Sequence, residues 1–246
     1  MTVDGARAAL SGRNIKVHYE GVRAVDGVDL ELQQGRLLGL IGPNGAGKTT
    51  FLHAISGFAR LTEGVVTLDA QDVSRWSPAD LARQGVARTF QDSRVFRGMT
   101  VSENVELGAL GAGLGRRAAR VRARDVLDRL RIAHLGERQS GGLAIGDERR
   151  VGIARAVAMQ PRFLLLDEPA AGLNEQESAE LARTIVALRD ALGCGVLLVE
   201  HDMSVIFEVC EEIQVLDSGK TIALGDPGVI RADRAVAEAY FGTRAR

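Results

Sequence analysis

Gly42-Pro43-Asn44-Gly45-Ala46-Gly47-Lys48-Thr49-Thr50 decides how the rest of this chain is read. Before it runs Leu37-Leu38-Gly39-Leu40-Ile41, apolar throughout and suited to a buried strand. After it, Phe51-Leu52-His53-Ala54-Ile55 opens a helix. The spacing G-x-x-x-x-G-K-[ST] between a strand and a helix is the phosphate-binding P-loop. Glycines let the backbone turn tightly and approach a phosphate without a Cβ in the way. Loop N–H groups and the helix N-terminus then face the anion. Lys48 reaches the β- and γ-phosphates, and Thr49 offers a hydroxyl to Mg²⁺.

The chain has 246 residues, enough for one large α/β domain or two small ones. A hydrophobic share of 46% and a charged share of 26% are ordinary for a globular protein. The net charge of −1 gives no basic field for nucleic acid. Cys194 and Cys210 form no metal or redox spacing and read as small core residues of a reducing compartment. Met1 to Asn14 has no apolar core of a secretory signal. Apolar runs such as Val196-Leu197-Leu198-Val199 fall far short of the roughly 20 residues that span a bilayer. The expectation is a cytosolic chain that meets a membrane only through a partner.

Strands are expected at Ile15 to Tyr19, Val28 to Leu32, Gly64 to Leu68 and Val86 to Phe90. Ser77-Pro78-Ala79-Asp80 reads as a capped helix start. A second helix begins at Ser102, and Gly108 to Gly115 reads as a loop. Arg116 to Arg131 holds seven arginines, with Ala119, Ala123, Val126, Leu127 and Leu130 at helical spacing. That apolar stripe makes the arginines a solvated helix face rather than a binding site for nucleic acid or acidic lipid. Further helices are expected over Asp147 to Met159, Glu175 to Leu192, Met203 to Cys210 and Ala232 to Tyr240. Strands are expected over Phe163 to Leu166, Gly195 to Val199 and Ile213 to Leu216. Such alternation specifies a mostly parallel sheet covered on both faces.

A P-loop alone leaves kinases, GTPases and many ATPases open. Phe163-Leu164-Leu165-Leu166-Asp167-Glu168 narrows the choice. Its carboxylates sit at the C-terminal end of a buried strand, where ligands bind in open α/β sheets. Asp167 is placed to hold Mg²⁺ through water. Glu168 is placed to orient or deprotonate the attacking water. His201 follows the buried strand ending Val199-Glu200, on the same sheet rim, and suits contact with a γ-phosphate oxygen. Gln91 closes a strand in the same way, and its amide reaches Mg²⁺ or water. Taken singly, His201 and Gln91 are equally well read as structural.

In this order these motifs resemble the ATP-binding cassette ATPases, from about Asn14 to the end of the chain. The resemblance implies one cassette domain over residues 1–246. It would have a mostly parallel α/β core, an N-terminal antiparallel β part and an inserted α-helical subdomain at about 95–158. It implies ATP and Mg²⁺ as ligands, with Thr49, Gln91 and Asp167 at the metal. Tyr19 would stack on adenine, Gln91 would be the Q-loop glutamine, Glu168 the catalytic glutamate and His201 the switch histidine. Ala171-Gly172-Leu173-Asn174 resembles the D-loop. The family signature Leu-Ser-Gly-Gly-Gln aligns with Leu143-Ala144-Ile145-Gly146-Asp147, not with Ser140-Gly141-Gly142. Ala144 and Ile145 replace its serine and first glycine, and Asp147 adds a negative charge near the phosphates. Turnover is therefore expected to be weaker than with the full motif.

One branch matches further, in Ala87-Arg88-Thr89-Phe90-Gln91, in the run Leu166 to Asn174 and in the ending Ala239-Tyr240-Phe241-Gly242. It is the ATP-binding subunit of branched-chain amino-acid importers. That resemblance implies permease partners, a second ATPase subunit of the same or a different kind, and indirectly an extracytoplasmic solute-binding protein. It implies a peripheral place on the cytoplasmic face of the inner membrane. The segment from Asn104 to Gly136 looks shorter than is usual in the branch. Alternatives are a cassette for urea or amides, one for lipid or lipopolysaccharide export, a soluble non-transport ATPase, and a subunit that hardly hydrolyses ATP.

Overall fold

The computed structural model describes residues 8–241. The segment Met1 to Arg7 and the end of the tail from Gly242 lie outside that range.

The chain begins with a hairpin, β1 (Ala9–Tyr19) and β2 (Val22–Gln33), paired antiparallel around the turn at Glu20-Gly21. Both strands are longer than the expected Ile15–Tyr19 and Val28–Leu32, because register shifts at Gly12/Ile15 and beyond let pairing run past the irregular residues. β3 (Leu37–Ile41) leads through the P-loop into α1 (Lys48–Ile55). Next come β4 (Glu63–Leu68), the short β5 (Gln71–Asp72) and α2 (Pro78–Arg83). Ser77 caps α2 in a reciprocal pair with Asp80. β6 stops at Arg88 (Val86–Arg88), two residues before the expected end.

Three helices follow: α3 (Val101–Gly111), α4 (Arg116–Arg129) and α5 (Ile145–Ala158). The expected loop from Gly108 is a correction, since α3 continues through Gly108 to Gly111. At Gly108 α3 presses on α5 so closely that a Cβ would lie 2.1 Å from the Arg155 carbonyl oxygen. This glycine is spent on helix contact, not on a turn. In α4 the buried residues are Ala119, Ala123, Val126 and Leu127, as the stripe required.

The remaining elements are β7 (Phe163–Asp167), α6 (Glu175–Leu192), β8 (Gly195–Val199), α7 (Met203–Val209), β9 (Glu212–Asp217), β10 (Lys220–Gly225), α8 (Pro227–Ala232) and α9 (Arg234–Phe241). α8 was not expected, and the expected tail helix is α9, which starts at Arg234 rather than Ala232 because Asp233 is extended. Its carboxylate accepts from the N–H groups of Ala235 and Val236 and restarts the helix.

One sheet has the order β2-β1-β4-β5 and the other β10-β9-β3-β8-β7-β6. Every pairing in the second is parallel except β10 with β9. Its central strands bury both faces. Leu164, Leu166, Val196 and Leu198 join the core under α5, α6 and α7. Leu165, Leu197 and Val199 join the core shared with α1 and the antiparallel sheet. Two buried faces explain why these strands are apolar at every position. Among the described residues, no helix is long and apolar enough to cross a membrane.

Candidate functional site

The C-terminal ends of β3, β7, β8 and β9 bring the chemistry to one rim of the sheet. There the P-loop turns into α1 through Gly47, whose φ is 100°. A Cβ at Gly47 would lie 2.2 Å from the Ala24 carbonyl oxygen, so only glycine fits. No side chain caps α1. Its first N–H groups are left for an anion. Lys48 is 5% exposed and donates to the carbonyls of Gly42 (2.7 Å) and Pro43 (3.0 Å), which shapes the loop. Burial lowers the Lys48 pKa, opposed by the charges of Glu168 and Asp167.

A cleft of about 540 Å³ opens over this loop. Asn44 to Thr50, Gln91, Glu168 and His201 line it, joined by Val22, Arg23, Ala24 and Ser218. Tyr19 ends β1 at 51% exposure and is not in that lining, although the strand that follows it is. Ser218 sits in the tight turn after β9, and the neighbouring Gly219 donates from its N–H to the Ala46 carbonyl (3.0 Å). Residues 22–24 and Ser218 escaped the sequence reading. The rule that ligands sit beyond strand ends would have found Ser218 after Val215-Leu216-Asp217.

Glu168 has a φ of 48°, in the left-handed region that few non-glycine residues adopt. Its backbone N–H donates to Val199 (2.9 Å), and its carbonyl accepts from Arg149. The carboxylate accepts from Gln91 Nε2 (2.6 Å) and faces His201 Nε2 (2.5 Å). Three residues expected at the site therefore meet at one carboxylate. Asp167, one residue earlier, is 3% exposed. Burial raises its pKa, opposed chiefly by Arg88, whose guanidinium lies 3.1 Å from Oδ2. Oδ1 is buried and has no hydrogen-bond partner. Thr49, Gln91 and Asp167 share the lining of a second cavity of about 360 Å³.

Leu143 to Asp147 line neither cavity. Ala144 is the N-cap of α5, extended at φ −64° and ψ 154°, and gives it no capping bond. The helix starts at Ile145 rather than the expected Asp147. Ile145 is 64% exposed. Gly146 lies against Leu173, where an added Cβ would come within 2.8 Å of the side chain. The Leu143 to Asp147 segment and the Gly172 to Asn174 segment are therefore neighbours. Asn174 caps α6 through Glu177. Ser140 is fully buried and bonds to Asn104, so Ser140-Gly141-Gly142 is packing.

Glu200, beside His201, is 2% exposed and accepts from the N–H groups of Ala170 (2.6 Å) and His201 (3.3 Å). Burial pushes its pKa up to about 7. The folded state then holds a proton that the unfolded chain, near 4.5, has already lost. Its stabilisation is full below the unfolded value and is lost as pH rises through about 7, by on the order of 3 kcal/mol. Glu200→Gln is expected to flatten the fall in melting temperature between about pH 5 and pH 8. An unchanged slope in thermal melts would contradict this.

The family model described as ABC transporter matches residues 25–171. The chain belongs to the ABC transporter family. It is an ATP-binding cassette ATPase, and the domain binds ATP. Its relatives include the high-affinity branched-chain amino acid transport ATP-binding protein LivG of Salmonella typhimurium, 40% identical over 95% of this chain and 97% of that protein. The lipopolysaccharide export system ATP-binding protein LptB of Escherichia coli is 35% identical over 96% of this chain and 98% of its own. The cassette also resembles a crystal structure of the ADP conformation of an ATP-binding cassette of an ABC transporter. That likeness has a TM-score of 0.86 and 29% identity, over 96% of this chain and 99% of the other.

Proposed function

We propose that this cassette powers a membrane importer for branched-chain or similar hydrophobic amino acids. The observation that carries the reading is the 40% identity to LivG along 95% of the chain. On this reading Lys48 and the loop N–H groups hold the β- and γ-phosphates, and Tyr19 stacks on adenine. Glu168 accepts the proton of the attacking water, while His201 and Gln91 fix its carboxylate. The residues at the second cavity fit Mg²⁺: Thr49, Gln91 and Asp167 supply oxygen donors, and buried Asp167 Oδ1 lacks a partner. The chemistry that Mg²⁺ would supply there is neutralisation of the charge developing on the phosphates.

Two ATPase subunits, alike or different, close face to face with Leu143 to Asp147 of each over the other's γ-phosphate. Gly172, Leu173 and Asn174 lie at that seam. Permeases receive the motion through the Gln91 region and the helices α3 to α5, which form the subdomain at about 95–158. A solute-binding protein delivers substrate outside, and the cassette sits on the cytoplasmic face of the membrane. Purified from detergent-solubilised membranes, the tagged chain is expected to bring two integral permease subunits with it. Recovery free of any membrane protein would overturn the transporter reading. The likeness to LptB supports a second reading, lipopolysaccharide export, at lower identity.

The degenerate signature makes its own prediction. Ala144→Ser restores an N-cap hydroxyl at a residue already extended, and Ile145→Gly clears an exposed side chain from the loop. Together they are expected to raise steady-state ATP turnover of the assembled transporter on the order of tenfold, the value of one hydrogen bond to a charged group. Unchanged turnover would sink the idea.

A further inference from the structure

Arg88 ends β6 with its side chain only 5% exposed. Its guanidinium donates to Asp167 Oδ2 (3.1 Å), Ser56 Oγ (3.0 Å) and the Thr89 carbonyl (3.2 Å). Two aromatic rings flank the same group. Its central carbon is 4.5 Å from the Phe90 centroid and 5.2 Å from that of Phe58. The rings meet edge to face, 5.3 Å apart at 88°. Phe58 is 46% exposed and Ser56 caps α1, so Arg88 joins the surface, the end of the P-loop helix and the Asp167 carboxylate.

That carboxylate is held in one orientation. The Asp167 N–H donates to Thr89 Oγ1 (3.1 Å), and Oδ2 is taken by Arg88. Oδ1 alone is left without a partner, in a residue that lines the cavity with Thr49 and Gln91. A carboxylate free to rotate would present either oxygen. A planar guanidinium with several fixed donors prevents this better than an ammonium could. Groups that orient a metal ligand without touching the metal commonly govern its affinity.

We propose that Arg88 is a positioning residue for the magnesium site, holding Asp167 with Oδ1 toward the metal and tying that orientation to the surface pair Phe58 and Phe90. The inference rests on the magnesium reading above. Loss of packing at Phe58 loosens Arg88 and, through it, Asp167. Metal affinity therefore responds to what happens at an aromatic patch on the other side of the buried ion pair.

The test is a Mg²⁺ titration of fluorescent ADP binding to the full chain, read as the half-saturating Mg²⁺ concentration. Arg88→Met is expected to raise that concentration by at least about tenfold while leaving Mg²⁺-free nucleotide binding unchanged. Arg88→Lys, which keeps the charge and loses the fork, is expected to fall between. Phe58→Ala is expected to move the value in the same direction by a smaller factor. An unchanged value in Arg88→Met, or an equal loss of Mg²⁺-free binding, overturns the proposal. Removing one partner of a buried ion pair can unfold a protein. Should Arg88→Met not fold, unchanged values in both Arg88→Lys and Phe58→Ala overturn it. Wild-type binding indifferent to Mg²⁺ would overturn the magnesium reading itself, and this inference with it.

Discussion

Glu168→Gln is expected to cut single-turnover ATP hydrolysis by about 10²- to 10⁴-fold, the usual contribution of a positioned general base. The geometry explains why the loss is confined to chemistry. Glu168 is 6% exposed and held by its own backbone in a left-handed conformation, so its side chain has one place to go. Gln91 Nε2 and His201 Nε2 both point at its carboxylate. A glutamine fills the same volume and keeps an acceptor oxygen, but it takes no proton from water. ATP binding through the P-loop is therefore expected to survive, and the closed ATP-bound pair to accumulate. Labelled-ATP hydrolysis beside equilibrium nucleotide binding checks both halves. A loss smaller than about tenfold would assign the base to another group.

Lys48→Ala acts earlier, on binding. Lys48 is buried and bonds to the carbonyls of Gly42 and Pro43. On the proposed reading those donors turn to phosphate oxygens when nucleotide binds. A hydrogen bond to a charged group is worth about 1.5–3 kcal/mol, so ATP affinity is expected to fall roughly 10- to 150-fold. The variant also loses the two bonds that draw Gly42 and Pro43 together. Titration with a fluorescent ATP analogue checks this, and wild-type affinity in the variant would contradict it.

Much of the fold was legible because its central strands obey one rule. Phe163 to Leu166 and Val196 to Val199 are apolar at every position and lie between two cores. Glycine was the less readable residue. Gly47 was readable from the P-loop spacing, but Gly108 sits in no motif and lets two helices touch instead of opening a loop. Only its partner helix reveals that. β10 gave little signal because Lys220 to Gly225 is an edge strand with no fully buried residue. At the site, Glu168, His201 and Gln91 were found through strand ends and converge as that rule implies. Arg88 was visible only as part of a motif. Its partners Ser56, Phe58 and Asp167 are far away along the chain, and nothing local reports that they meet.

Uptake in a strain lacking this gene tests the central claim most directly. The panel would be labelled leucine, isoleucine, valine, other amino acids, urea and short amides, with rescue by wild type compared with Lys48→Ala. The importer reading predicts that uptake of the branched-chain amino acids falls and that only wild type restores it. Unchanged uptake across the panel would contradict that reading and bring export forward.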